Sequence, residues 1–139
     1  IRVELSRYRA VKHSRSGLPD NDGTRTCFSQ AFRQLHNIHP RHLRRSNQIY
    51  EVFFAGEQGQ DVGGLYRESF ALYCSELQSA AMNLFIRTPN GRHSIGQNRD
   101  RWMLNPGANL LIHREMFIFL GKLIGAAVRG KEYLNLNML

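Results

Sequence analysis

Cysteine, proline and acid are all scarce in this chain. Its two cysteines, Cys27 and Cys74, have no C-x-x-C spacing and no histidine at zinc-finger intervals. That excludes a disulfide scaffold or zinc module and leaves two reduced, buried thiols, as expected of an intracellular protein in the cytoplasm or nucleus. Four prolines make no tract, and there are no repeats or low-complexity segments. The longest apolar stretch, Met116 to Leu120 and Leu123 to Val128, is broken by Lys122 and is too short to span a bilayer. The opening residues are charged and alternating, without the apolar core of a signal peptide. Eleven Asp and Glu against nineteen Lys and Arg leave a net charge of +8, which suits acidic partners such as nucleic acid, anionic membranes or acidic proteins.

Aromatics are plentiful. Eight Phe and five Tyr within a hydrophobic content of 42% describe a packed globule, one domain or part of one. The basic residues are scattered through the chain, as on a solvated surface. Ile1 to Leu5 alternates apolar and charged residues like a half-buried strand. His13 to Thr26 reads as a loop, and Thr24 or Thr26 can cap a helix carrying Phe28, Phe32 and Leu35. Pro40 opens a short helix whose exposed face holds Arg41, Arg44 and Arg45. Tyr50 to Phe54 is a strand with aromatics on both faces, and Leu65 to Leu77 a helix with Tyr66, Phe70, Tyr73 and Leu77 on one stripe. Leu84 to Ile86 is a short strand, and Arg87 to Trp102 an extended loop. His113 to Val128 is apolar nearly all round, the pattern of a helix buried mid-domain. The expected fold is α+β, mainly helical with short strands.

Constraint is densest between the strand ending at Phe54 and the helix from Leu65. Gly63 and Gly64 fall in the first helical turn, where each costs about 1 kcal/mol against Ala. Such a cost points to a close backbone approach or a positive φ; a phosphate cradle is disfavoured because neither phosphate-loop spacing is present and Asp61 would repel phosphate. Asp61 reads as an N-cap. Arg67 and Glu68 point about 100° apart on a helix, so Arg67 is expected to reach back to Glu57 or Asp61 and pin the turn. His36, His39 and His42 are spaced three apart, yet Pro40 interrupts them and no acid or Cys lies alongside, so no metal is expected. Gly121 and Gly125 make a G-x-x-x-G, read as a place where a helix of the same domain packs closely. No nucleophile motif, catalytic residue or cofactor site is found.

The run Gly56-Glu57-Gln58-Gly59-Gln60-Asp61-Val62-Gly63-Gly64-Leu65-Tyr66-Arg67-Glu68-Ser69-Phe70 resembles G-E-E-G-x-D-x-G-G-x-x-R-E-x-F, a signature early in the N-terminal lobe of HECT-type ubiquitin ligases. Leu104-Asn105-Pro106 stands where that family has I-N-P. The helix from Phe117 to Val128 is similar to its F-x-F-x-G-[RK]-x-[IL]-G-x-A-[IV] segment. The resemblance spans nearly the whole chain and implies that residues 1–139 are the first part of a HECT N-lobe. Gly56, Glu57, Gly59, Asp61, Gly63, Gly64, Arg67 and Glu68 are then its structural motif. The arrangement looks more like the ligases with RCC1-type repeats, and Lys12 to Arg25 reads as a loop insertion.

In that family, ubiquitin passes from a conjugating enzyme to a Cys in a C-terminal lobe and then to a substrate lysine. Both the Cys lobe and the docking subdomain for the conjugating enzyme lie beyond the matched segment. The chain is thus expected to be a scaffold portion of such a ligase, inactive alone, with conjugating enzyme, ubiquitin and protein substrates as partners of its parent. Some members bind a second ubiquitin through tyrosines just before the L-F matched by Leu84-Phe85; Ala81-Met82 here removes that platform. An isolated fragment is expected to self-associate. The alternative is a non-catalytic basic module for nucleic acid or an acidic protein, disfavoured for nucleic acid because the strand aromatics are expected to be buried.

Overall fold

The computed structural model describes residues 1–57 and 62–139. In chain order its elements are β1 (Arg2–Leu5), α1 (Arg7–Ser14), α2 (Cys27–Leu35), α3 (Pro40–Leu43) and β2 (Glu51–Phe54). These are followed by α4 (Val62–Leu77), β3 (Phe85–Arg87), α5 (Pro89–His93), β4 (Trp102–Leu104) and α6 (Leu111–Gly130). The fold is the α+β, mainly helical arrangement expected, with short strands in two small sheets.

β1 and β2 pair in parallel, Val3 beside Val52 and Leu5 beside Phe54, and the four buried side chains face the interior. A parallel pair needs a crossover connection, here α1, α2 and α3. The free edge of β1 is closed by side chains. Gln34 Oε1 accepts from the Glu4 N–H at 3.0 Å, and its amide donates to Glu4 O at 2.7 Å. One turn earlier, Gln30 repeats the pattern on Ser6 at 2.7 and 3.1 Å. Open strand edges invite unwanted pairing, and these two amides occupy this one.

The core is aromatic. Phe119 of α6 lies against both Phe28 and Phe32 of α2, with ring centroids 5.5 and 5.8 Å apart, and Phe28 meets Tyr73 of α4 edge-on at 6.1 Å. Burying one such side chain is worth about 1.5–3 kcal/mol. The tyrosine hydroxyls are not orphaned: Tyr50 Oη lies 2.9 Å from Ser69 Oγ and 3.0 Å from Tyr73 Oη. Tyr66, Phe70, Tyr73 and Leu77 are all buried, as the helical stripe requires.

Three expectations need correction. The loop expected from His13 to Thr26 starts later, because α1 runs on to Ser14; the first turn of this helix is capped by the Ser6 hydroxyl accepting from the Arg9 N–H at 3.2 Å. Its apolar stripe was too thin to read, because only Ala10 and His13 turn inward while Tyr8 and Val11 face solvent. The segment from Arg87 to Trp102 contains α5, started by Pro89 and capped by the Thr88 hydroxyl accepting from the Gly91 N–H at 3.1 Å. Lastly, α6 is buried on one face only. Met116, Phe119, Leu120, Leu123, Ala126 and Ala127 point inward, whereas Ile118 and Val128 are 61% and 74% exposed. Gly121 and Gly125 are exposed, and beyond α6's own backbone and their chain neighbours no atom among the described residues lies within 4 Å of where their Cβ would be. The larger side chains fix which face turns in, and the glycines fall on the other.

Among the described residues, Gly91 is the glycine crowded by a backbone atom. A Cβ there would lie 2.5 Å from the Arg99 carbonyl oxygen, a backbone atom that cannot swing aside. Gly91→Ala is therefore expected to destabilise the fold by about 1–3 kcal/mol, read from urea denaturation. An unchanged midpoint would mean that α5 and the loop at Arg99 part without cost.

Candidate functional site

The glycine-rich connection is held by a residue outside it. Arg7, the first residue of α1, donates through Nε and Nη2 to the two carboxylate oxygens of Glu57, each at 2.9 Å. Its Nη1 donates to Glu68 on α4. The guanidinium also lies over the Phe54 ring, 3.8 Å from its centroid. One planar cation thus ties β2, the turn after it and α4 to the start of α1, a geometry that Lys cannot reproduce. Burial works against the charge on Arg7, but hydrogen bonds to Glu68 and Glu57 outweigh it and raise the pKa further. The pairing is bidentate yet partly solvated, so its role is to orient more than to stabilise.

Gly56 takes φ +79°, the left-handed backbone that favours glycine, with nothing crowding its Cβ position. Gly63 and Gly64 lie in the first turn of α4. Gly59 and Asp61 lie outside the described residues, and so does the reading of Asp61 as an N-cap. Arg67 does not share in the clamp on Glu57: its side chain is 77% exposed, with Nε 3.7 Å from Glu132 just past α6. Glu68, a helical step away, faces α1. Arg7 was missed because its partner Glu57 lies 50 residues along the chain, a pairing with no local signal.

The other candidates resolve into structure. His36 stacks on Phe32, ring centroids 4.6 Å apart, with Nδ1 2.9 Å from Phe32 O, while the His39 ring caps α3. Among the described residues no group of His, Cys, Asp and Glu could hold a metal ion. Cys27 and Cys74 are free and buried. Burial, with help from the Glu76 charge, pushes the Cys27 thiol up to about 12. A thiol so protonated is no nucleophile at neutral pH. Met82 is buried, with its sulfur 3.2 Å from the Thr26 hydroxyl.

An anion site at the amino end of α2 is closed by the chain itself. Asp20 accepts from the N–H groups of Thr24, Arg25 and Thr26 at 3.2, 2.9 and 2.8 Å. Glu76, reaching over from α4, accepts from Cys27 and Phe28 at 2.7 and 2.8 Å, and the Thr26 hydroxyl takes Ser29 at 3.1 Å. Every amide from Thr24 to Ser29 is used. Burial alone would raise the Asp20 pKa, but its amide donors hold it below the usual value. At Glu76 burial prevails over two donors, and its pKa is pushed up to about 7.

A carboxyl raised in the folded state stabilises most below its ordinary pKa, and that contribution is lost as pH rises through the folded value. For Glu76 the window runs from 4.5 to about 7. The protein is expected to be less stable at pH 8 than at pH 5, by at most about 3 kcal/mol from this group. Glu76→Gln should flatten that slope in urea titrations across the range. A slope unchanged by the substitution would place its origin in another group.

No family model matches the chain. Among curated proteins it is 44% identical over 138 residues to "E3 ubiquitin-protein ligase HERC2" of Homo sapiens, 98% of this chain and 3% of that protein. It is 27% identical over 119 residues to "Probable E3 ubiquitin-protein ligase HECTD4" of Homo sapiens, 81% of this chain and 3% of that protein. To "E3 ubiquitin-protein ligase HUWE1" of Mus musculus it is 30% identical over 108 residues, 77% of this chain and 2% of that protein. The chain therefore spans only a few hundredths of the length of these relatives. These likenesses show that the chain is a segment belonging to the HECT-type E3 ubiquitin ligase family.

Proposed function

We propose that this chain is the scaffold part of a HECT-type ligase, residues 1–139 forming the first portion of its N-lobe. The observation that carries the reading is the Arg7 clamp, which ties Glu57 after β2 to Glu68 on α4, in a chain 44% identical to a ubiquitin ligase over nearly its whole length. In this role the segment holds a rigid platform. The parent binds a conjugating enzyme and ubiquitin, carries the thioester on a Cys outside this chain, and passes ubiquitin to lysines of protein substrates. Its place is inside the cell, in the cytoplasm or nucleus. No described helix is long and apolar enough to cross a membrane.

The scaffold role is tested by charging. Incubated with activating enzyme, conjugating enzyme, ATP and ubiquitin, the chain should show no reducible ubiquitin adduct on non-reducing gels. A longer piece of the parent carrying a downstream Cys should show one. An adduct on this chain that disappears in Cys27→Ala or Cys74→Ala would overturn the assignment.

The outer face of α6 bears on behaviour in isolation. Ile118, Ile124 and Val128 lie exposed along it, with Leu104, Leu110 and Leu111 also exposed nearby in sequence. Leaving such side chains in water forgoes about 1.5–3 kcal/mol each. The isolated chain is expected to self-associate or bind a hydrophobic dye at micromolar concentration. A clean monomer in light scattering, with no dye bound, would show that this face needs no cover.

A further inference from the structure

The β3–β4 hairpin has one edge covered and one open. Asn105 N–H donates to Leu84 O at 3.0 Å, and Thr88 N–H donates to Arg101 O at 3.3 Å. With Ile86 opposite Met103, the ladder bonds fall on residues 84, 86 and 88. Alternation in an antiparallel pair then turns the amides and carbonyls of Phe85 and Arg87 the other way. On the far side of β4 the equivalent groups of Trp102 are already taken: its N–H donates to Asn137 O at 2.7 Å and its carbonyl accepts from Leu139 N–H at 2.8 Å. The outward groups of Phe85 and Arg87 have no backbone partner among the described residues.

A groove of about 550 Å³ is lined by all of β3. Pro19, Ala80, Met82 and Trp102 give it an apolar lining, and its charged residues are Arg87 and Arg92. Both arginines are exposed, and neither is engaged by a carboxylate among the described residues. Arg87 lies 5.7 Å from the Trp102 ring centroid. An extended peptide sends alternate side chains to opposite sides, so one set can meet this lining while the other meets the cations.

We propose that the open edge of β3 accepts an acidic extended peptide from a protein partner as an added strand. The main chain of that peptide pairs with Phe85 and Arg87, and its carboxylates meet Arg87 and Arg92. Backbone pairing supplies the register, and the arginines supply the preference for acid. Nucleic acid would use the cations and leave the strand edge unpaired, so the edge favours peptide. The inference rests on the hairpin and groove alone, independent of the ligase assignment.

The test is fluorescence anisotropy of the 139-residue chain with a short labelled peptide alternating valine and glutamate. Binding is expected in the range of about 10–500 μM, as suits a three-residue edge, and a lysine-for-glutamate peptide should not bind. The double variant Arg87→Glu, Arg92→Glu should weaken binding about tenfold or more. N-methylating one set of alternate peptide amides should abolish binding, while methylating the other set should leave it, because a strand uses every second amide. Amide NMR signals of Phe85 and Arg87 should shift on titration. The proposal fails if no peptide binds, if both methylated sets bind alike, or if binding ignores the arginine changes. It fails equally if single-stranded DNA displaces the peptide with the same arginine dependence, which would mark a bare electrostatic patch.

Discussion

Two parallel strands cannot be joined by a tight turn, and much of this molecule follows from that restriction. Because β1 runs alongside β2, everything from Arg7 to Tyr50 must leave the sheet at the carboxyl end of β1 and travel back to the opposite end, where β2 begins. α2 crosses back over the pair and brings Phe28 and Phe32 onto the core, with Gln30 and Gln34 against the outer strand. Arg7 stands just past the carboxyl end of β1 and Glu57 just past that of β2, side by side in the parallel pair. The clamp ties the carboxyl ends of the two strands together, at the end of the pair from which the crossover departs.

What was legible from the residues was the part encoded at short range. The stripe Tyr66, Phe70, Tyr73 and Leu77 announced both the helix and its buried face; Pro40 marked one helix start, and of the two caps offered for α2, Thr24 and Thr26, it is Thr26 that serves. The glycine-acid run pointed to the family. α1 and α5 were hidden because their stability comes from caps and neighbours, with few apolar side chains of their own. The partner of Glu57 was hidden for a different reason: hydrogen-bonding geometry between residues 50 apart leaves no spacing to read. The glycines of α6 show the limit of a motif, since the spacing was real and the face it occupies is open among the described residues.

The amino end of α2 shows how a helix terminus can be withdrawn from ligand binding. Its positive end would ordinarily attract an external anion. Here Asp20 and Glu76 arrive from opposite sides and consume the donors, so helix and carboxylates become one structural joint between α2 and α4. Cys27 sits inside that joint, and the same burial that lifts Glu76 keeps its thiol protonated.

Gln30 and Gln34 each meet the N–H and C=O of one strand-edge residue with a side chain that is itself an amide. An amide is the side-chain group that offers a donor and an acceptor side by side, as the main chain does. A carboxylate would return two acceptors to a carbonyl, and an ammonium would offer only donors. At these two positions the alphabet of twenty shrinks almost to one letter, chosen by the direction in which protons point. Size and hydropathy would permit many substitutes, but the edge of β1 reads neither.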